Sequence, residues 1–484
     1  MFKYIAFILS FLFLFISSGC GQKEKYDKAE TGLYRMDVED SYKYTIPQLG
    51  EDVMPVSVYV GPMPEHGNGF DIVESQINDK YYKLLKEAGV NFVYGHSENG
   101  VEDIYDNLDL CEKYGLAYLL RTDHMDFFKD TGEGILCYPD YSLEEQARVK
   151  NAFIAKIKPF ADHPAFAGIK FSDEVGIDCF PGLAAATEIF NEEFPNKMIY
   201  HNLLGDQASN QMLETAPYFQ YYPDVKDEQL KKFGYDYHIL QFTEQVPVKY
   251  ISFDNYPILL GNVKPTWVRN ISRVANLANE KGIAFWNFIQ ACDYGEEVAL
   301  PTEAQMLWQN NISLAYGAKG LQMFTFFCPV DFLSMDLNNE AEFCIDSNGN
   351  ITDYYYSVKN SLVQVSMVDE VLMNSKWKGM MVTQTGFPTN EIMQTDTIDK
   401  FNHLESVQST NASVVVGCFN YQGKTALYVV NNSVISPTNV TLNFNVGTKG
   451  YCIKDCNKYE FTSKNKQLII PYLVAGGAAL VVID

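Results

Sequence analysis

Three carboxylates lead the residues able to do chemistry: Asp173 and Glu174, side by side, and Asp254 further along. Each follows directly on an apolar run, Phe166 to Phe171 for the pair and Tyr250 to Phe253 for Asp254. Two carboxyl groups can divide the cleavage of a polar bond when one keeps its proton and the other stays ionised. The neighbouring Asp173 and nearby apolar residues would both raise the pKa of Glu174, making it the expected acid. Other polar residues recur in the same place, just after an apolar run: Tyr59, His96 and Glu98, Arg121 with Asp123 and His124, His201 and Asn202, Tyr256, then Trp286 and Gln290. We read Tyr59, Glu98, Arg121, Asp173, His201, Asn202, Tyr256, Trp286 and Gln290 as substrate-binding. Trp286, flanked by Asn287 and Gln290, offers a flat face for stacking. Together they describe a polar cup with aromatic walls, a shape suited to sugars.

Other chemistries fit less well. His96, His124 and His201 could gather a metal with Asp123 or Asp173, but Val58-Tyr59-Val60 lacks the His-x-His that metal-dependent barrel hydrolases carry on their first strand. Hydrogen bonding to hydroxyls is the favoured reading, and neither metal nor other cofactor is expected. No G-x-S-x-G elbow supports acyl transfer, and Val60-Gly61-Pro62-Met63-Pro64 holds no phosphate-binding G-x-G-x-x-G.

The elements that must position these residues alternate. Short β-rich runs begin at Val56, Asn91, Leu116, Phe166, Met198, Tyr250, Ile283 and Gly320, and amphipathic helical stretches separate them. The first helix, from Tyr81, is stopped by Gly89. Strands that read as continuous apolar runs are buried on both sides, so residues 51–373 are expected to form a parallel (β/α)8 TIM barrel. In such barrels the reacting groups sit at the C-terminal strand ends, where the residues above fall. After Leu372 the period changes to short strands divided by turns such as Gln422-Gly423 and Asn431-Asn432. Residues 376–484 are therefore expected to form a small antiparallel β-sandwich.

Composition narrows the partners. With 61 acidic residues against 37 basic ones and a net charge of −24, the chain lacks the basic face that displaces phosphate counterions, so no nucleic acid is expected. The same charge opposes docking on anionic lipid heads. Met1-Phe2-Lys3, the apolar run Ala6 to Ile16 and Ser17-Ser18-Gly19-Cys20 resemble a bacterial lipoprotein signal, cleaved after residue 19 with Cys20 lipidated. Residues 20–50 would then be tether and lead-in, and the protein would be lipid-anchored in the bacterial cell envelope. Cys452-x3-Cys456 is the one close cysteine pair, and an inert structural role is expected for it.

Phe171-Ser172-Asp173-Glu174-Val175-Gly176 is similar to the Asn-Glu-x-Gly signature of clan A glycoside hydrolases, whose glutamate is the general acid/base. Ile251 to Pro257 resembles the sixth-strand segment of family 42 β-galactosidases. The resemblance implies a glycosidase acting on an oligo- or polysaccharide, with Glu174 as acid/base. Two departures stand out. Asp173 replaces the asparagine that binds a sugar hydroxyl, and Ile289 occupies the place expected of the strand-seven nucleophile. The second carboxylate is then Asp254, one of Asp293, Glu296 and Glu297, or absent. In the last case the chain would be a glycan-binding barrel without catalysis.

Overall fold

A computed structural model of the chain describes residues 43–67, 72–96, 100–121, 135–213, 227–264, 266–294, 297–329, 342–383 and 396–484. Glu98, Asp123, His124, Glu296 and Cys20 lie outside these residues.

Eight parallel strands form the first sheet: β1 Val56–Val58, β2 Phe92–Tyr94, β3 Ala117–Arg121, β4 Phe166–Asp173, β5 Met198–Asn202, β6 Tyr250–Phe253, β7 Ala284–Gln290 and β8 Leu321–Phe324. Their spatial order is β5-β4-β3-β2-β1-β8-β7-β6. A parallel bridge between Leu203 and Phe253 joins the two ends, so the ring closes. A helix follows each strand: α1 Asp79–Ala88, α2 Val101–Tyr114, α3 Leu143–Ala161, α4 Phe180–Glu193, α5 Asp227–Gln245, α6 Thr266–Lys281, α7 Glu303–Ala315 and α8 Tyr354–Val363. This is the expected (β/α)8 barrel. Local chemistry marks the helix ends: α3 and α7 begin in Ser142/Glu145 and Thr302/Gln305 capping boxes, and Gly89 ends α1 in the left-handed conformation.

Strand alternation sorts the barrel into two cores. Outward residues such as Val93, Leu120, Ile169, Ile251, Phe285 and Ile289 pack under the helices. Inward residues Phe92, Tyr94, Tyr200, Tyr250 and Trp286 fill the lower barrel with rings, and Tyr44, Ile46 and Leu49 of the lead-in close it from below. The barrel is therefore a packed core with one open polar end.

Beyond the barrel come β9 Ser375–Val382, β10 Leu404–Ser409, β11 Val414–Tyr421, β12 Lys424–Asn431, β13 Thr438–Phe444, β14 Lys449–Lys454, β15 Asn457–Thr462, β16 Gln467–Leu473 and β17 Ala478–Ile483. They make a six-stranded antiparallel sheet, β9-β11-β12-β17-β14-β15, facing a three-stranded one, β10-β13-β16. The sandwich docks on α7. Trp308 Nε1 donates to Asn432 Oδ1 at 2.9 Å, and Tyr428 Oη donates to Asn311 Oδ1 at 2.6 Å. Gly417 on β11 lies so near this helix that a Cβ would fall 2.3 Å from the Ala315 carbonyl oxygen. Cys452 and Cys456 are both free thiols, one buried and one exposed.

Candidate active site

Two irregularities in the backbone bring neighbouring carboxylates into one cup. Plain alternation after Lys170, which faces inward, would send Asp173 outward. The pairing of β4 with β5 instead shifts register between Lys170 and Ser172, a bulge that restores Asp173 to the inside opposite Asn202. Glu174 then takes φ +53°, a left-handed conformation uncommon for a residue with a Cβ. Its amide is held by the Asn202 carbonyl at 3.0 Å. Beyond it, His238 Nε2 donates to the Val175 carbonyl at 3.1 Å and steadies the loop. Such strain persists only where surrounding contacts over-determine it, and it concentrates at functional positions.

Asp173 is tightly held. Tyr59 Oη donates to its Oδ2, Lys170 Nζ donates to the same tyrosine oxygen, and Lys170 Nζ lies 3.5 Å from Asp173 Oδ2. The lysine side chain is only 1% exposed and stacks on the Tyr59 ring. A buried cation is tolerated only where an opposite charge and hydrogen-bond partners compensate it, and Asp173 and Tyr59 do so here. Asn202 Nδ2 donates to Asp173 Oδ1 and to Asp254 Oδ1, each at 3.1 Å. Beneath it, Ser252 Oγ donates to Asn202 Oδ1 at 3.0 Å, and Gln322 Nε2 donates to Ser252 Oγ at 2.8 Å. Tyr94 and Tyr200 donate to Gln322 Oε1. Each member fixes the next, so the carboxylates stand on a hydrogen-bonded floor that runs across the barrel.

Glu174 and Asp254 stand close enough to influence each other's titration. Burial holds the Asp254 carboxyl well above the ordinary range, and the charges of Glu174 and Asp173 push it the same way. Glu174 is exposed to the cup, yet protein packed around its carboxyl raises its pKa. The charge of Asp173 adds to the rise, and neighbouring Asp254 and the charge of Lys170 oppose it. Two carboxyl groups so placed cannot both ionise cheaply, so the pair holds its last proton to higher pH than free carboxyls do. Burial makes Asp254 the harder of the two to ionise. An aromatic rim completes the cup: Tyr256 stacks on Phe324 at 5.0 Å, Tyr294 packs edge-on against both, and Tyr59 leans on Phe324 and Phe288.

The structure brings Glu174, Asp173, Asp254, Asn202, Tyr59 and Tyr256 together at the open end of the barrel. Arg121 ends β3 beside Lys170 in register and bonds His96. Three expected binders do not face the cup. His201 points outward between β4 and α4, where Thr187 and Ser172 occupy both ring nitrogens at 3.0 and 2.8 Å. Thr187 Oγ1 already donates to the Leu183 carbonyl, so His201 carries its proton on Nε2, and burial lowers its pKa to about 3. Trp286 is completely buried in the lower barrel against Tyr250, Phe92 and Tyr200, so it is a packing residue and not a platform. Gln290 spends its amide on backbone: it accepts from Ile258 N and donates to the carbonyls of Ile258 and Ala299. Ile289 faces outward, so β7 offers no nucleophile at that place. Asp293 accepts from the Glu342 amide, and Glu297 is exposed.

Lys170, Tyr294 and Phe324 belong to the cup and escaped the sequence reading. The lysine had a signal, being one cation inside the apolar run Phe166 to Phe171. The only described group of metal-ligating side chains, Asp109, Glu112 and His163, lies on the outer surface and not in the cup.

Comparison with known protein families finds no match, and none is found among curated protein sequences. Comparison with solved structures does find the fold. A family 5 glycoside hydrolase from Bacteroides vulgatus aligns over 89% of this chain and 90% of its own, with TM-score 0.51 and 9% identity. Another structure described as a glycoside hydrolase aligns over 89% of this chain and 93% of its own, with TM-score 0.50 and 10% identity. The class is therefore a (β/α)8 barrel carrying a C-terminal β-sandwich, an architecture shared with glycoside hydrolases.

Proposed function

We propose that the protein is a glycoside hydrolase of clan A type acting on an oligo- or polysaccharide, with Glu174 as general acid/base. The observation that carries this reading is the carboxyl cluster at the open end of the barrel, Glu174 beside Asp173 and Asp254, the two aspartates bridged by Asn202. Breaking a glycosidic bond requires a proton for the departing oxygen at a pH where free carboxyls have lost theirs. The Glu174–Asp254 pair keeps that proton, and exposed Glu174 delivers it. The aromatic rim supplies faces for sugar rings, and Asp173, Asn202 and Tyr59 supply polar partners.

Replacement Glu174→Gln should cost about 10²–10⁴-fold in kcat on a glycoside with a poor leaving group, the usual worth of general acid catalysis. An aryl glycoside with an acidic leaving group should lose much less in its first step. Equal losses on both would remove Glu174 from the acid role. One observation favours a barrel that only binds glycan. The β7 position where a clan A nucleophile is expected is Ile289, which faces outward under the helices. A glycan panel separates the readings: retention of a sugar without cleavage would favour the binder.

A further inference from the structure

Gln322 sits on β8 where the lower barrel is otherwise filled by rings, and it is fully buried. Packing there needs no amide, and an amide buried without partners is costly. This one has partners on both sides. Tyr94 and Tyr200 donate to its Oε1 at 2.8 and 2.5 Å, and its Nε2 donates to Ser252 Oγ on β6 at 2.8 Å. Tyr200 Oη also lies 2.8 Å from Ser252 Oγ and can serve it as a second donor. The serine gives its own proton to Asn202 Oδ1 on β5 at 3.0 Å, and Asn202 Nδ2 donates to Asp173 and Asp254.

The line has one workable polarity. Asp173, the partner of Lys170, can only accept, so Asn202 must turn Nδ2 towards it and Oδ1 towards Ser252. That oxygen needs a donor, and Ser252 has a single proton to give. The serine oxygen is then left to accept, which requires Gln322 Nε2 and sets Oε1 against the two tyrosines. With the Gln322 amide turned over, its Oε1 would draw the serine proton away and leave Asn202 Oδ1 buried without a donor.

We infer that Gln322 is a positioning residue for the carboxyl cluster: through Ser252, its amide holds the N–H groups of Asn202 on Asp173 and Asp254. It acts at two removes, with Ser252 and Asn202 between it and the aspartates. Donation to a carboxylate favours its ionised form, so weakening the line should raise the pH at which both aspartates titrate. The link from the cluster to catalysis rests on the glycosidase reading above. The link from Gln322 to the cluster does not.

The test follows side-chain carboxyl signals by NMR in the full chain carrying ¹³C-labelled aspartate. Asp173→Asn and Asp254→Asn assign the two resonances. Gln322→Met keeps the length of the side chain and removes both its donor and its acceptor. It should raise both titration midpoints by about one pH unit, a partial loss of a hydrogen bond to a charged group. Ser252→Ala should do the same, and it tests the same line should Gln322→Met not fold. The two combined should shift the midpoints no further than either alone, because one acts through the other. On a glycoside that the parent cleaves, either variant should lower kcat about tenfold and change KM much less. Midpoints unmoved in the folded variants, or shifts that add in the double variant, would overturn the proposal. Shifted midpoints in a chain that cleaves no glycoside would leave it standing and reject the glycosidase reading.

Discussion

At the scale of single residues, the site is a matter of where one proton sits among three carboxyls. Asp173 pairs with Lys170, while burial and mutual charge raise the pKa values of Glu174 and Asp254. Catalysis by this acid should therefore fade as pH rises through the upper titration of the pair. Two substitutions should move that limb in opposite directions. Lys170→Met removes a cation that stabilises ionised carboxylate, so the limb should shift to higher pH. Asp254→Asn takes away the second carboxyl of the pair, so the limb should shift to lower pH. Profiles of kcat/KM against pH give the comparison, and shifts of the same sign in both variants would refute the shared-proton account. Stability carries the same signature. A carboxyl whose folded pKa is raised favours the fold below its unfolded value near 3.9, and that advantage is lost as pH climbs through the folded value. Asp254→Asn should thus be more stable than the parent at neutral pH, by about 1.4 kcal/mol per unit of displaced pKa, with the gain vanishing in acid.

At the scale of elements, β4 and β5 decide which side chains reach the cup. Apolar runs made the strands legible, and polar residues at their ends made the cup legible as a ring. Orientation was not legible, because a bulge after Lys170 and the left-handed Glu174 both break the two-residue period that strand reading relies on. His201, one residue before the inward Asn202, consequently faces α4, while Trp286 points inward but lies too deep. Nor does any local pattern reveal that Gln290 would serve backbone groups of two loops. The β5–α4 contact can be tested through His201, buried neutral with its pKa lowered to about 3. Unfolding exposes an imidazole that protonates near 6.5, so this residue costs stability as pH falls from about 6.5 towards 3. The slope it contributes is about 1.4 kcal/mol per pH unit, opposite in sign to that of Asp254. His201→Gln can keep a hydrogen bond to Thr187 or Ser172 without titrating. Its unfolding free energy should fall less steeply than the parent's over that window, and parallel curves would place the imidazole in water.

At the scale of the whole molecule, the two ends of the barrel face opposite ways. Tyr44, Ile46 and Leu49 pack into the end away from the cup, so the described structure begins behind the site. The sandwich adds rigidity at the side, through Trp308, Asn311 and Gly417, without intruding on the open end. No helix among the described residues is long and apolar enough to cross a membrane. We propose that Cys20 is lipidated and anchors the protein in the cell envelope. A single short acyl chain binds a membrane only marginally, so stable anchoring depends on the multiple chains of a lipoprotein cysteine. Cys20→Ser should move the protein from the membrane fraction to the soluble fraction and leave the activity of the released barrel on small glycosides unchanged. Membrane association that survives the substitution would reject the anchor at this cysteine.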